Sequence, residues 1–305
     1  MAKEWPGFFY RGSYFTDTMY TIDTLKTAPM EIWDVRPDDV IVVNYVRSGT
    51  YWLTKALTCL FPDLNFVLPQ TGKVVRLDQL CEDNDDLPSS YREIATAVKE
   101  SLHEMKSPRL LVCHFPPQLF PKVWRDGQKK CRIIYVTRNP KDVCVSQYLH
   151  MNTIPAQKMD LTWEEWVKAF IEGRVKHGPW LDHVLGWKRY GLQDNVLHVT
   201  FEDMKKDLES VLTDIALFLG QPKSEEELRN AAKCCTFDAM SQGVDFYRTY
   251  SASGVKGYFS STGRHARKGR VGDWKEHFTV AQNEHFDQQI TEKAKQDGLE
   301  FVFEM

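Results

Sequence analysis

An α/β fold with a central parallel sheet flanked by helices is predicted by three features of the sequence. Four short apolar runs are spaced along the chain, amphipathic helical patterns fall between them, and no Pro/Gly/Ser-rich linker separates two cores. The runs are Val40–Tyr45, Leu110–Cys113, Ile133–Val136 and Val196–Val199. Their apolar character is continuous rather than alternating, which suits strands covered on both faces. After the first run, Leu53, Ala56, Leu57 and Leu60 share one helical face. After the fourth, Leu208, Val211, Leu212, Ile215 and Leu219 share another, closed by Gly220. Helix starts are marked by Pro140 at a first helical position and by three capping boxes, Thr162 with Glu165, Ser224 with Glu227, and Thr279 with Gln282. From Ser241 to Gly272 there is little periodicity among Gly, Ser and basic residues, so a long loop ordering over a ligand is expected there. One domain over residues 1–305 is the simplest organisation.

Composition narrows the function. The 305 residues are 42% hydrophobic and 27% charged, which excludes a disordered or collagenous chain. Lys and Arg total 39 against 42 Asp and Glu, a formal net charge of −3, so no general basic field draws the chain to nucleic acid or anionic lipid. Any anion must be held locally. Residues 1–6 show no apolar run behind a basic start, and no stretch nears the ~20 apolar residues of a membrane helix, so a soluble cytoplasmic protein is expected. The seven cysteines, Cys59, Cys81, Cys113, Cys131, Cys144, Cys234 and Cys235, are odd in number and lack CxxC spacing, which predicts neither a disulfide framework nor a zinc site.

Three segments can bind anions. The run ending at Tyr45 passes through Val46-Arg47-Ser48-Gly49-Thr50 into a helix, a strand-to-helix turn whose free N–H groups form a phosphate-sized cradle. It lacks the glycine spacing and the Lys-Ser/Thr ending of a triphosphate loop, so a nucleotide triphosphate is disfavoured. Arg138-Asn139-Pro140-Lys141-Asp142 repeats the arrangement, with Arg138 and Ser146 placed for a second phosphate or, alternatively, Arg138 simply paired with Asp142. Arg264-His265-Ala266-Arg267-Lys268-Gly269 adds cations and a glycine N–H, or forms a solvated basic loop. Together they indicate two separated phosphates.

Three longer segments, Tyr45–Leu53, Arg138–Val143 and Arg267–Lys275, closely resemble the cytosolic sulfotransferases, in matching order along nearly the whole chain. The resemblance implies a single P-loop-like α/β domain and 3′-phosphoadenosine 5′-phosphosulfate (PAPS) as donor co-substrate, with no metal. It implies the 5′-phosphosulfate on Arg47, Ser48, Gly49, Thr50 and Tyr51, and the 3′-phosphate on Arg138, Ser146, Arg267, Lys268 and Gly269. It places the adenine beside Trp52, Phe201 and Phe237. His114, which closes the run Leu110–Cys113, falls where the family has its catalytic base; a histidine there is otherwise a structural residue. The implied acceptor is a small hydrophobic alcohol, phenol or amine, walled by aromatics among Phe8, Phe9, Tyr10, Tyr14, Phe15, Tyr148, Phe246, Tyr247 and Tyr250 unless these are core. A homodimer through Lys275–Glu284 is also implied.

The chain departs from the family pattern at the loop lysine, which is Arg47, and at a threonine, which is Tyr51. The lysine two residues before the base is Val112, and an adenine-side tyrosine is Phe201. Arg47 keeps the charge but is planar, bulky and no practical proton donor. The expectation is a sulfotransferase with His114 as general base. The alternatives are a weak or silent relative that binds the nucleotide or a hydrophobic ligand, and a Mg²⁺/ATP-dependent kinase.

Overall fold

The computed structural model describes residues 7–17, 20–26, 33–68, 74–81, 96–153, 160–190, 194–242 and 268–305. An antiparallel hairpin, β1 (Gly7–Tyr10) and β2 (Ser13–Thr16), precedes a four-stranded sheet of β3 (Val40–Asn44), β4 (Leu110–Cys113), β5 (Arg132–Thr137) and β6 (Val196–Thr200). All neighbours in the sheet are parallel, in the order β4-β3-β5-β6. The four apolar runs are therefore the four strands, shifted by a residue at some ends. The β6 run is less covered than the others, and Leu197 and His198 are not buried. The hairpin carries no familiar turn pair: Arg11 and Gly12 both take positive φ, 47° and 79°, as a primed turn demands, but Arg at the first position hides the signal.

Helices follow the strands. They are α1 (Thr50–Leu60), α2 (Pro140–Thr153), α3 (Trp163–Ile171), α4 (Trp180–Tyr190), α5 (Phe201–Lys206), α6 (Leu208–Phe218), α7 (Glu225–Cys234), α8 (Phe237–Gln242) and α9 (Val280–Phe286), with shorter turns between. One sheet face, including Ile41, Val43, Leu111, Ile133 and Tyr135, packs with Phe15, Phe115, Trp124 and Trp187. The other, including Val42, Leu110, Ile134 and Val136, is covered by the predicted faces of α1 and α6. A third cluster joins α2, α3, α4 and α9 around Trp166, Trp180 and Phe286. All three capping boxes form with reciprocal bonds, at Thr162, Ser224 and Thr279.

Strand order positions the site. β3 is followed in sequence by β4 on one side and by β5 on the other, so loops leaving the carboxyl ends of β3 and β5 diverge and leave a crevice, the position favoured for ligands in open α/β sheets. The opposite end is tied by a buried ion pair, with Arg109 Nε 2.7 Å from Asp39 Oδ1 and its guanidinium 5.2 Å from the Trp33 ring.

Candidate active site

The loop after β3 is shaped by two residues in the left-handed region. Arg47 has φ 72° and Gly49, the N-cap of α1, has φ 108°. No side chain caps α1, so its first N–H groups remain available to an anion. Gly49 is required twice over, by its φ and by the Phe201 ring, which would lie 2.9 Å from an added Cβ. Arg47 Nε donates to Ser146 Oγ at 3.1 Å, linking the loop to α2. The Thr50 hydroxyl donates to Asn44 Oδ1 at 2.9 Å. Burial pushes the Tyr51 phenol up to about 12.

The other two loops meet this one. Arg138, between β5 and α2, donates to the Arg47 carbonyl at 3.3 Å and to the Arg270 carbonyl at 3.1 Å, and its guanidinium lies 4.2 Å from the Phe201 ring centre. It also pairs with Asp142 at 3.5 Å, so the structural alternative for Arg138 is realised together with its place in the site. Asp142 accepts from the backbone N–H groups of Gly272 and Trp274, both at 3.0 Å, and thereby pins the C-terminal loop to the start of α2. On that loop Lys268 Nζ lies 2.7 Å from Asp273 and 2.5 Å from Glu276, and Arg270 pairs with the same two carboxylates. These bonds push Lys268 and Arg270 up and hold Glu276 below its ordinary value. Asp273, Glu276 and His277 have ligand atoms within 4.8 Å of one another, but the two carboxylates are already engaged with these cations.

The loops enclose a cavity of about 230 Å³. Every predicted site residue lines it except Ser48, which is wholly buried, and Arg267, which lies outside the described residues. Among the described residues the Ser48 hydroxyl has no hydrogen-bond partner. Trp52 and Phe201 meet edge to face at 5.4 Å, and Phe237 closes on Gly269, whose added Cβ would be 2.6 Å from its ring. The described lining includes seven Lys or Arg residues and no Asp or Glu. Three of these, Arg76, Lys176 and Lys205, carry no sequence signal: they are single basic residues without motif spacing, brought in by the fold. Tyr14 and Phe15, candidates for the acceptor wall, are buried in the core instead, and Tyr148 packs on Trp163 and Trp166. Residues 246, 247 and 250 lie outside the described residues.

His114 stands at the end of β4 and faces the cavity. Its Nδ1 lies 3.1 Å from the Asn44 carbonyl, which can only accept, so Nδ1 carries the proton and Nε2 keeps its lone pair. Burial lowers its pKa to about 4; Asp78 opposes that shift, while Arg76 and Lys176 add to it. The imidazole is neutral at neutral pH. Two other histidines, given no role by sequence, support it. His183 Nε2 donates to the His114 carbonyl at 3.1 Å and its Nδ1 accepts from the Tyr135 hydroxyl at 2.9 Å, while the His177 ring lies 5.7 Å from that of His114.

Residues 37–298 match the family model of the sulfotransferase domain. The chain belongs to the sulfotransferase family. It is 32% identical over 296 residues to an amine sulfotransferase of Oryctolagus cuniculus, covering 97% of this chain and 93% of the relative. It is 34% identical to sulfotransferase 2A1 of Homo sapiens, over 93% of this chain and 94% of the relative. Among solved structures, mouse sulfotransferase SULT7A1 complexed with PAP aligns with a TM-score of 0.75 and 30% identity, covering 96% of this chain and 95% of that one. This sulfotransferase has the α/β architecture of that neighbour, with its parallel sheet flanked by helices. No described helix is long and apolar enough to cross a membrane.

Proposed function

We propose that this sulfotransferase transfers a sulfuryl group from PAPS to the hydroxyl or amine of a small hydrophobic acceptor, with His114 as general base. The observation that carries this reading is the convergence of Arg47, Arg138 and Lys268, from three loops distant in sequence, on the cavity that His114 faces. The reading is supported by the mouse neighbour complexed with PAP and by a relative named an amine sulfotransferase.

In this reading the phosphosulfate rests on Arg47 and the open N–H groups of α1, the 3′-phosphate on Arg138, Ser146, Lys268 and Gly269, and the adenine among Trp52, Phe201 and Phe237. Arg267 belongs to the same 3′-phosphate set. Nε2 of His114 takes the acceptor proton as the oxygen or nitrogen attacks sulfur. The bond from sulfur to the bridging oxygen breaks, and the electron pair leaves on the 5′-phosphate. Arg47 and the helix N-terminus meet that growing charge with fixed donors. Without a lysine at 112, Arg76 and Lys176 supply positive charge near the base. These cations let the reaction proceed without a metal. The enzyme works as one domain over residues 1–305, in the cytoplasm. It pairs through Lys275–Glu284, where Val280 is 76% exposed just inside the capped start of α9.

Transfer of labelled sulfuryl to a panel of phenols, sterols and amines tests the reaction. Turnover with at least one class is expected, falling about 10²- to 10⁴-fold in His114→Ala. Donor binding without transfer to any acceptor would favour the silent-binder reading, and an unchanged rate in His114→Ala would remove the histidine from its role.

A further inference from the structure

The mechanism leaves one buried charge unused. Asp78 is wholly inaccessible, and among the described residues neither carboxylate oxygen meets a side-chain hydrogen-bond donor. Its described ionic neighbour is Arg76, whose guanidinium nitrogen is 3.6 Å away. A buried carboxylate without such donors is costly to keep, and so calls for an explanation.

Register supplies one. Arg76 forms a parallel bridge with Val112 of β4, and Val112 N donates to the Val75 carbonyl at 3.0 Å. Val75 and Leu77 point into the same core cluster as Leu111 and Cys113. Side chains alternate along paired strands, so Arg76, at the bridge, lies on the other side with Val112. Asp78 follows two residues beyond the bridge, in the tight turn Leu77–Cys81, as His114 follows two residues beyond Val112, and the two groups interact electrostatically.

We propose that Asp78 is a positioning residue that stabilises the imidazolium formed when His114 takes the acceptor proton. The geometry explains why it is needed. Besides Asp78, the groups facing His114 are Arg76, Lys176, His177 and His183, each positive or neutral. A proton arriving on Nε2 enters an enclosed site that already holds two cations, where charge interactions are strong. Asp78 is the carboxylate among those neighbours that opposes them. Arg76, His114 and Lys176 in turn hold Asp78 below its ordinary carboxylate value despite burial, so it is charged at neutral pH.

The proposal rests on His114 being the base, a reading that fails separately if His114→Ala keeps the parent rate. Its own test is Asp78→Asn, which removes the charge and preserves the shape. Turnover is measured with an aliphatic alcohol and with 4-nitrophenol, whose acidic hydroxyl asks little of a base. Adenosine 3′,5′-bisphosphate binding is followed by calorimetry. The expected result is a loss of about 10-fold or more for the alcohol, a much smaller loss for the phenol, and unchanged nucleotide affinity. Equal losses for the two acceptors, no loss, or a parallel loss of nucleotide affinity would overturn the proposal. If Asp78→Asn does not fold, Asp78→Ser carries the same readouts.

Discussion

Gly49 shows how tightly single residues constrain this cavity. Alanine there would hold a side chain at φ 108° and push its Cβ within 2.9 Å of the Phe201 ring. Gly49→Ala should cost about 1 to 2 kcal/mol of stability from backbone strain alone, read by denaturant titration, and should also weaken nucleotide binding by displacing Phe201. At His114 the relevant quantity is protonation. As the proposed base it must be neutral to work, and burial keeps it so down to about pH 4. The acid limb of kcat/KM should therefore lie well below the ordinary histidine value; a limb centred near 6.5 would mean that His114 is solvated or is not the base. Sequence pointed to Gly49, Arg138 and His114 through motif and strand-end position. It could not show Asp78, Arg76, Lys176 or His183, because their roles come from register and packing across distant segments.

Local rules fixed the elements well. Each predicted capping box formed because both halves lie within one turn and require no tertiary context. Ser224→Ala should cost about 1 kcal/mol by removing the bond to Glu227 N from an exposed helix start, measurable by thermal unfolding. The hairpin escaped detection because an Arg-Gly turn replaces the usual pairs and its inward aromatics read equally as cavity wall. Between elements, Asp142 matters most to the site, since its carboxylate bonds Gly272 and Trp274 and so holds the loop bearing Lys268 against α2. Asp142→Ala should loosen that loop. A nucleotide affinity reduced at least about 10-fold, with turnover at saturating donor less affected, is the expected signature.

Across the whole molecule, His114, His177 and His183 are buried neutral, with His114 at about 4, His183 at about 3 and His177 well below its ordinary value. Unfolding returns each toward 6.5, so the unfolded chain binds more protons below that pH. Stability contributed by these groups is complete above about 6.5 and is lost as pH falls toward 4; the lowered Asp78 acts in the same direction at the acid end. Melting temperature should therefore drop on going from about pH 7 to about pH 5, and a flat profile would contradict the buried neutral histidines. The three loops proposed to bind the phosphates lie far apart in the chain, and the fold brings them to one cavity. Calorimetric titration of adenosine 3′,5′-bisphosphate in the presence of a metal chelator, into the parent and into Arg138→Ala and Lys268→Ala, measures that convergence directly. Saturable one-to-one binding, weakened about 10- to 100-fold by each substitution, is the predicted result. Absence of binding by the parent, or full affinity in both variants, would contradict it.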